Sequence, residues 1–486
     1  VNPSLYQINT KVLLSELSAP AVLDDLPESF LDEVKALRFD WVWPLGVWAL
    51  GDAGRGISRS NREWHEEYRR ALPDLTEKDI CGSPFAVAGY HVAPELGGDE
   101  ALARLRERLA NRGIRLLLDF VPNHVALDHP WVNTQPDFFI RGTEADLYGQ
   151  PRNYVRLPNG EIFAHGRDPY FPGWPDTLQL NYFNPALREQ IIAELQRVAS
   201  QCDGVRCDMA MLLEPEVFAR TWNGRNGSFD ATIPHFWPEA IKRVKGAHPD
   251  FLFMAEVYWD YEYKLQQHGF DYTYDKALYD RLVESNAKSV RSHLAAPLAY
   301  QQKMVRFLEN HDEPRIASRV STDHSEAMAL VSYLAPGLRF FHRGQFEGHT
   351  VRVPVHLARG PKENTNPKVT RFYNTLLPIV QSELARSGDW KLLPAQAAWD
   401  GNKTHENFIT YLVTLDTQWM LVVVNLAHYR GQCRISLPPH LFQGETLQLV
   451  DLLTNTRYDR SSEEVTDPGL FIDCDGYKAH IFSADS

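Results

Sequence analysis

The sequence predicts an α/β protein: a closed (β/α)8 TIM barrel, interrupted by an inserted domain after strand 3 and followed by a C-terminal antiparallel β-sandwich. Three observations predict it. Eight short apolar runs of strand length alternate with helical patterns, the arrangement that builds a parallel sheet. Roughly sixty residues after the third run carry no clear helix, and a structureless loop of that size does not belong inside a compact domain. Past Gly388, strands follow one another with no helix between them.

Taken in order, the eight runs cover residues 5–8, 41–43, 114–121, 203–207, 251–257, 269–272, 304–308 and 338–341. Several intervening helices are marked by their caps. Asn184-Pro185 places an N-cap before a first-turn proline, after which Leu187, Ile191 and Leu195 recur on one face. Asn366-Pro367 repeats the device ahead of Val369, Phe372 and Tyr373. Leu102, Leu105 and Leu109 keep a helical period that Gly113 stops. Residues 124–182 are rich in Pro, Gly, Asp and aromatics such as Trp131, Phe138, Phe139, Tyr148, Phe171 and Trp174, and residues 51–82 form another, arginine-containing insertion. The last strands are expected at 408–415, 419–426, 432–437, 446–453 and 478–482. The expected division is 1–124 and 183–387 for the barrel, 125–182 for the inserted domain B, and 388–486 for the sandwich.

Composition narrows the function. A net charge of −13 repels phosphate backbones and anionic lipid, so neither nucleic acid nor a membrane is expected as a partner, and a neutral small molecule such as a carbohydrate fits better. The five cysteines form no CxxC and suggest buried reduced thiols rather than a disulfide framework or a zinc site. No apolar run reaches the length of a bilayer span. A cytoplasmic protein is expected, with secretion left open because residue 1 is Val. No feature of the sequence sets an oligomeric state.

In such a barrel, function collects at the carboxyl ends of the strands. Four of the expected strands end in acidic groups: Asp119, Asp208 (with Arg206), Glu256 and Asp312. Residues i and i+2 of a strand face the same way, so Arg206 should lie beside Asp208 and favour its ionised, nucleophilic form. Glu256 is flanked by Phe253, Met254, Ala255 and Val257, an apolar setting expected to keep its carboxyl protonated and able to act as an acid. An attacking carboxylate and a proton donor are what retaining glycoside chemistry needs, at a separation of roughly 5–5.5 Å. Asp119 is expected to support the site by holding Arg206.

The stretches DFVPNH (119–124), GVRCD (204–208), Glu256 after an apolar strand, and ENHD (309–312) resemble, in order and spacing, the four short regions of the α-amylase family. GYHVAPELGG (89–98) resembles the segment that follows the family's second strand. The resemblance implies Asp208 as nucleophile, Glu256 as general acid/base and Asp312 as the carboxylate that binds and distorts the reacting sugar. It also implies that Arg206, His124 and His311 hydrogen-bond that sugar or the nucleophile, and that Tyr90 stacks on its ring. The implied activity is hydrolysis of α-linked glucosides through a covalent glycosyl-aspartate, with transglycosylation or isomerisation as the alternative and a non-catalytic binding subunit as a further one.

The departures are specific. Where many calcium-dependent α-amylases carry Lys-His after the nucleophile, this chain has Met211 and Leu212, and Met209 fits neither common pattern. TLQLN (177–181) matches neither well-known subgroup signature, and PGLRFFHRGQFEG (336–348) resembles the family's closing segment only loosely. Asn123 stands where such enzymes place one calcium ligand, and Asp128, Asp137 and Asp176 could join it. Hard-cation binding needs six or more oxygens, so no cofactor is expected to be required.

Overall fold

The computed structural model describes residues 1–17, 20–225, 227–228 and 234–484. Eight strands form a closed barrel: β1 (Ser4–Asn9), β2 (Trp41–Leu45), β3 (Arg115–Phe120), β4 (Gly204–Cys207), β5 (Leu252–Ala255), β6 (Tyr272–Tyr274), β7 (Met304–Arg306) and β8 (Leu338–His342). Each strand neighbours the next in sequence, and β8 returns to β1. The pairs β2 with β3, β3 with β4, β4 with β5, β5 with β6 and β7 with β8 are parallel. Both faces of the strands are covered: Leu116, Leu117, Leu118, Val205, Phe253 and Met254 are wholly buried, and so are Arg206, Arg306 and Arg339 of β4, β7 and β8.

The sixth strand lies later than the sequence suggests, at Tyr272–Tyr274 instead of 269–272. Gly269 has φ +108°, and a Cβ there would press on Ile241 at 3.3 Å, so it makes the turn that precedes the strand. Both Asn-Pro helix starts are present: Asn184 accepts from the Ala186 N–H ahead of Pro185–Gln201, and Asn366 accepts from the Lys368 N–H ahead of Pro367–Val380. The helix Gly98–Ala110 ends shortly before Gly113, which has φ +75°.

The first insertion holds helices Asp52–Ser60 and Arg62–Ala71 between the paired strands Trp48–Leu50 and Val87–Val92. In the second, His124–Ala126 pairs antiparallel with Thr177–Gln179, and Tyr154–Arg156 with Ile162–Ala164.

The C-terminal strands are β9 (Asp389–Leu393), β10 (Phe408–Leu415), β11 (Gln418–Asn425), β12 (Gly431–Ile435), β13 (Thr446–Asp451), β14 (Thr456–Ser461), β15 (Leu470–Cys474) and β16 (Ala479–Ala484). Six make a sheet in the order β9-β10-β11-β16-β13-β14, and β12 pairs with β15. Alternate residues of both sheets, among them Phe408, Leu421, Val423, Cys433, Leu449 and Ile472, form one apolar core.

The chain divides into two compact units. One comprises Val1–Leu5, Asp275–Val351 and Glu363–Ser486; the other comprises Tyr6–Tyr274 and Arg352–Lys362. In the first, Arg339 of β8 donates its N–H to the Pro3 carbonyl at 2.8 Å and Gly337 donates to Asn2 Oδ1 at 2.9 Å, which fastens the start of β1.

Candidate active site

Parallel register brings the candidate groups of the Tyr6–Tyr274 unit to one level. Arg206 lies opposite Asp119 on one side and Met254 on the other, and Cys207 lies opposite Phe120 and Ala255. The ladder continues one residue further, because the Asp208 N–H donates to the Phe120 carbonyl at 2.8 Å and the Glu256 N–H to the Cys207 carbonyl at 3.0 Å. Asp208 and Glu256 therefore leave adjacent strands at the same height, and adjacent strands are about 4.8 Å apart.

One guanidinium joins them. Arg206 Nη1 meets Asp208 Oδ1 at 2.5 Å, and Nη2 meets Glu256 Oε2 at 2.8 Å. Arg206 is fully buried, its Nε donates to the Tyr274 hydroxyl at 3.4 Å, and its charge lies over the rings of Trp43, Phe85 and Tyr274. A buried guanidinium fork suits two carboxylates at once, which a single ammonium could not do.

Glu256 differs from its expected apolar setting. Oε2 also accepts from the Met209 N–H at 2.8 Å, and Oε1 accepts from the Tyr258 hydroxyl at 2.9 Å. Phe253, Met254, Ala255 and Val257 bury their own side chains, while the Glu256 carboxylate reaches past the strand end into polar company. Met209 occupies the left-handed region (φ 42°, ψ 48°), and this turn aims its N–H at Glu256.

Asp119 lies on β3. Its carboxylate accepts from Trp43 Nε1 at 3.1 Å and from the Gly46 N–H at 2.9 Å, and its carbonyl accepts from Trp48 Nε1, which fixes the turn after β2. Tyr90 stacks on Phe120 and meets the edge of Trp48, and its hydroxyl both donates to and accepts from the Val121 backbone. His124 is buried beside Trp174, and burial pushes its pKa down to about 3, so the ring is neutral.

Three of the calcium candidates already hold partners. Asn123 Oδ1 accepts from Gln179 Nε2 at 3.0 Å, and Asn123 Nδ2 donates back to Gln179 Oε1. An amide donor thus occupies the oxygen that a cation would need. Asp128 accepts from the Ala53 N–H, and Asp137 pairs with Arg141. Asp176 is buried, and its Oδ2 has no hydrogen-bond partner.

In the other unit, the segment after β7 carries His311 and Asp312. His311 Nε2 lies 3.1 Å from Asp312 Oδ2. Asn310 Oδ1 accepts from the Asp312 and Glu313 N–H groups, so an Asx turn holds Asp312 outward with its side chain 45% exposed. Glu309 is buried against Arg315 at 2.9 Å.

Four contributors escape sequence reasoning: Tyr258 and Tyr274, which bond Glu256 and Arg206, the Met209 N–H, and Gln179. Tyr258 carries the one readable signal, since it lies two residues from Glu256 on the same side.

The description "Alpha amylase, catalytic domain" fits residues 86–366, more than half of the chain. The chain belongs to the α-amylase family. Among its relatives, Alpha-amylase 3 of Dictyoglomus thermophilum is 24% identical over 307 residues, 58% of this chain and 57% of that protein. The alpha-1,4-glucan:maltose-1-phosphate maltosyltransferase of Cereibacter sphaeroides is 29% identical over 236 residues, 47% of this chain and 28% of that one. The chain spans about half the length of the curated relatives it matches. The crystal structure of the maltogenic alpha-amylase AmyB from Thermotoga neapolitana covers 100% of this chain and 99% of its own at a TM-score of 0.69 and 18% identity, a likeness of fold. Among the described residues of this α-amylase family member, no helix is long and apolar enough to cross a membrane.

Proposed function

We propose that the protein is a retaining glycoside hydrolase acting on α-linked glucosides. The observation that carries this reading is the sharing of Arg206 by Asp208 and Glu256 at the ends of adjacent strands. In the first step an Asp208 oxygen bonds to the anomeric carbon as the glycosidic C–O bond breaks, and Glu256 transfers its proton to the departing oxygen. In the second, Glu256 as carboxylate takes a proton from water, whose oxygen displaces Asp208 and restores the starting anomer. The polar surroundings of Glu256 suit the carboxylate of the second step. For the first, Oε1 is the oxygen that can carry the proton to the departing oxygen, since Oε2 faces the Met209 N–H and Arg206; the Tyr258 hydroxyl then turns its own proton away from Oε1. Asp312 is the third carboxylate of this reading, with Arg206, His124 and His311 as hydrogen-bonding groups and Tyr90 as the stacking ring. Exposed Tyr170 and Phe171 in the aromatic insertion offer further sugar-binding surface.

Transfer to an acceptor sugar is the second reading. It is favoured by the likeness to a maltosyltransferase and by Met211 and Leu212, which are buried and place no cation on the leaving-group side. Chromatography of products from maltose, maltoheptaose, sucrose and trehalose tests both. Free glucose or short maltosides support hydrolysis, and new glucosides that outpace them overturn it in favour of transfer. Trapping with a fluorinated glucosyl fluoride, followed by peptide mass spectrometry, should label Asp208.

A further inference from the structure

Three chain segments that end helices converge beyond the turn after Asp208. Glu214 joins the turn Ala210–Leu213 to the helix Pro215–Trp222, His235 precedes the helix Phe236–Ala247, and His268 follows the helix Glu262–Gln267. His268 Nδ1 lies 3.0 Å from Glu214 Oε1, and His235 Nδ1 lies 3.4 Å from Glu214 Oε2. The two imidazoles meet edge to face at 4.9 Å, and one ligand atom from each residue falls within a 4.8 Å span.

We propose that Glu214, His235 and His268 bind one divalent transition metal of the zinc class. Two imidazoles and a carboxylate are a zinc-type donor set, whereas a hard cation such as calcium takes oxygens. Bonds of about 2.0–2.1 Å in a tetrahedron put donor atoms roughly 3.3 Å apart, and the two imidazoles here reach different oxygens of Glu214, so the carboxylate would face the ion with both. His235 Nδ1 is buried without a hydrogen-bond partner. The alternative is a plain His–Glu cluster neutralised by Lys264, whose ammonium lies 3.0 Å from Glu214 Oε2. Lys264 also pairs with Glu216, so it keeps a carboxylate when a metal takes its place at Glu214. The bound ion would tie the turn that carries Met209 and Ala210 to two later segments. Trp237 Nε1, donating to the Ala210 carbonyl at 2.8 Å, already marks this connection. Its role is structural, and no catalytic step passes through it.

The test uses the full chain stripped with a chelator and titrated with zinc chloride, read by calorimetry and by melting temperature. One saturable equivalent and a rise in melting temperature are expected. His235→Ala and His268→Ala should each weaken binding by roughly a hundredfold, and Lys264→Met should tighten it about tenfold. The His235 side chain is 43% exposed and stands ahead of its helix, so its variant tests the site with little effect on the fold. Cobalt bound in place of zinc should give the intense visible bands of a four-coordinate site. Absence of saturable zinc uptake, or uptake that both histidine variants retain at full affinity, overturns the proposal.

Discussion

The Met209 N–H donates to Glu256 Oε2 at 2.8 Å, so the residue that follows Asp208 positions the carboxyl group of the neighbouring strand. Met209 does this from a left-handed conformation at φ 42°, which costs a non-glycine residue roughly 1–2 kcal/mol. Met209→Gly should keep the N–H, hold kcat within about twofold and leave stability level or raise it by up to ~1 kcal/mol, glycine's unfolded-state entropy offsetting part of the relief. The β-branched Met209→Ile should lose more than about 1 kcal/mol and lower kcat. Urea unfolding and steady-state kinetics on the pair check this, and equal behaviour of the two variants would remove the strain argument.

Asp208→Asn should lower kcat by about 10⁴-fold or more with the fold intact, since the amide cannot attack the anomeric carbon. Glu256→Gln should cost most on substrates with poor leaving groups and least on glycosyl fluorides, which need no proton. Comparing maltosides with fluorides measures the difference, and equal losses on both would rule out the acid role.

Arg206 lies between two buried carboxylates. Arg206→Met leaves both without it, and the expected cost is about 3–5 kcal/mol of stability. Arg206→Lys should recover part of the stability but little activity, because one ammonium cannot fork between Asp208 and Glu256. Chemical denaturation alongside kcat separates these two effects.

Stability should fall with acid through two buried histidines. Burial lowers His124 to about 3 and His129 to about 4, both below the ordinary value of 6.5. Their contribution is complete above pH 6.5 and is lost as the pH drops toward 4, where the unfolded chain takes up protons that the fold refuses. The slope from this pair approaches about 2.7 kcal/mol per pH unit. Unfolding free energies at pH 7.5, 6 and 5 test it, and His129→Gln should roughly halve the pair's share.

Asp176 acts in the opposite direction. Burial raises its carboxyl to about 6, and Oδ2 has no hydrogen-bond partner. Its contribution is complete below pH 3.8 and is lost as the pH rises through 6. Asp176→Asn should therefore stabilise by roughly 1–2 kcal/mol at pH 8 and by nothing below pH 4. Melting curves for the variant and parent across that range decide it.

The barrel was legible because buried parallel strands are mostly apolar, as in Leu116–Leu118, and because Asn184 and Asn366 announce helices chemically. β9, β14 and β15 were not. β14 is nearly all exposed, β9 buries only Leu393 of its five residues, and β15 alternates buried apolar with exposed residues over only five positions, so little periodicity separates them from loop. At the site, Asp208, Glu256 and Arg206 were readable from strand ends and i, i+2 spacing. The surroundings of Glu256 were not, because sequence neighbours describe where a backbone runs and not what a long side chain reaches. The Gln179 contact with Asn123 joins residues 56 positions apart and has no local signature.

The fastening of Asn2 by Gly337, residues 335 positions apart, has a consequence for biosynthesis. The opening stave leaves the ribosome first yet lacks its second neighbour until β8 emerges. Until then the cylinder has a seam with bare amides on both lips. Vectorial synthesis must shelter that seam for most of the chain's length, and closure is the last step the catalytic cylinder can complete.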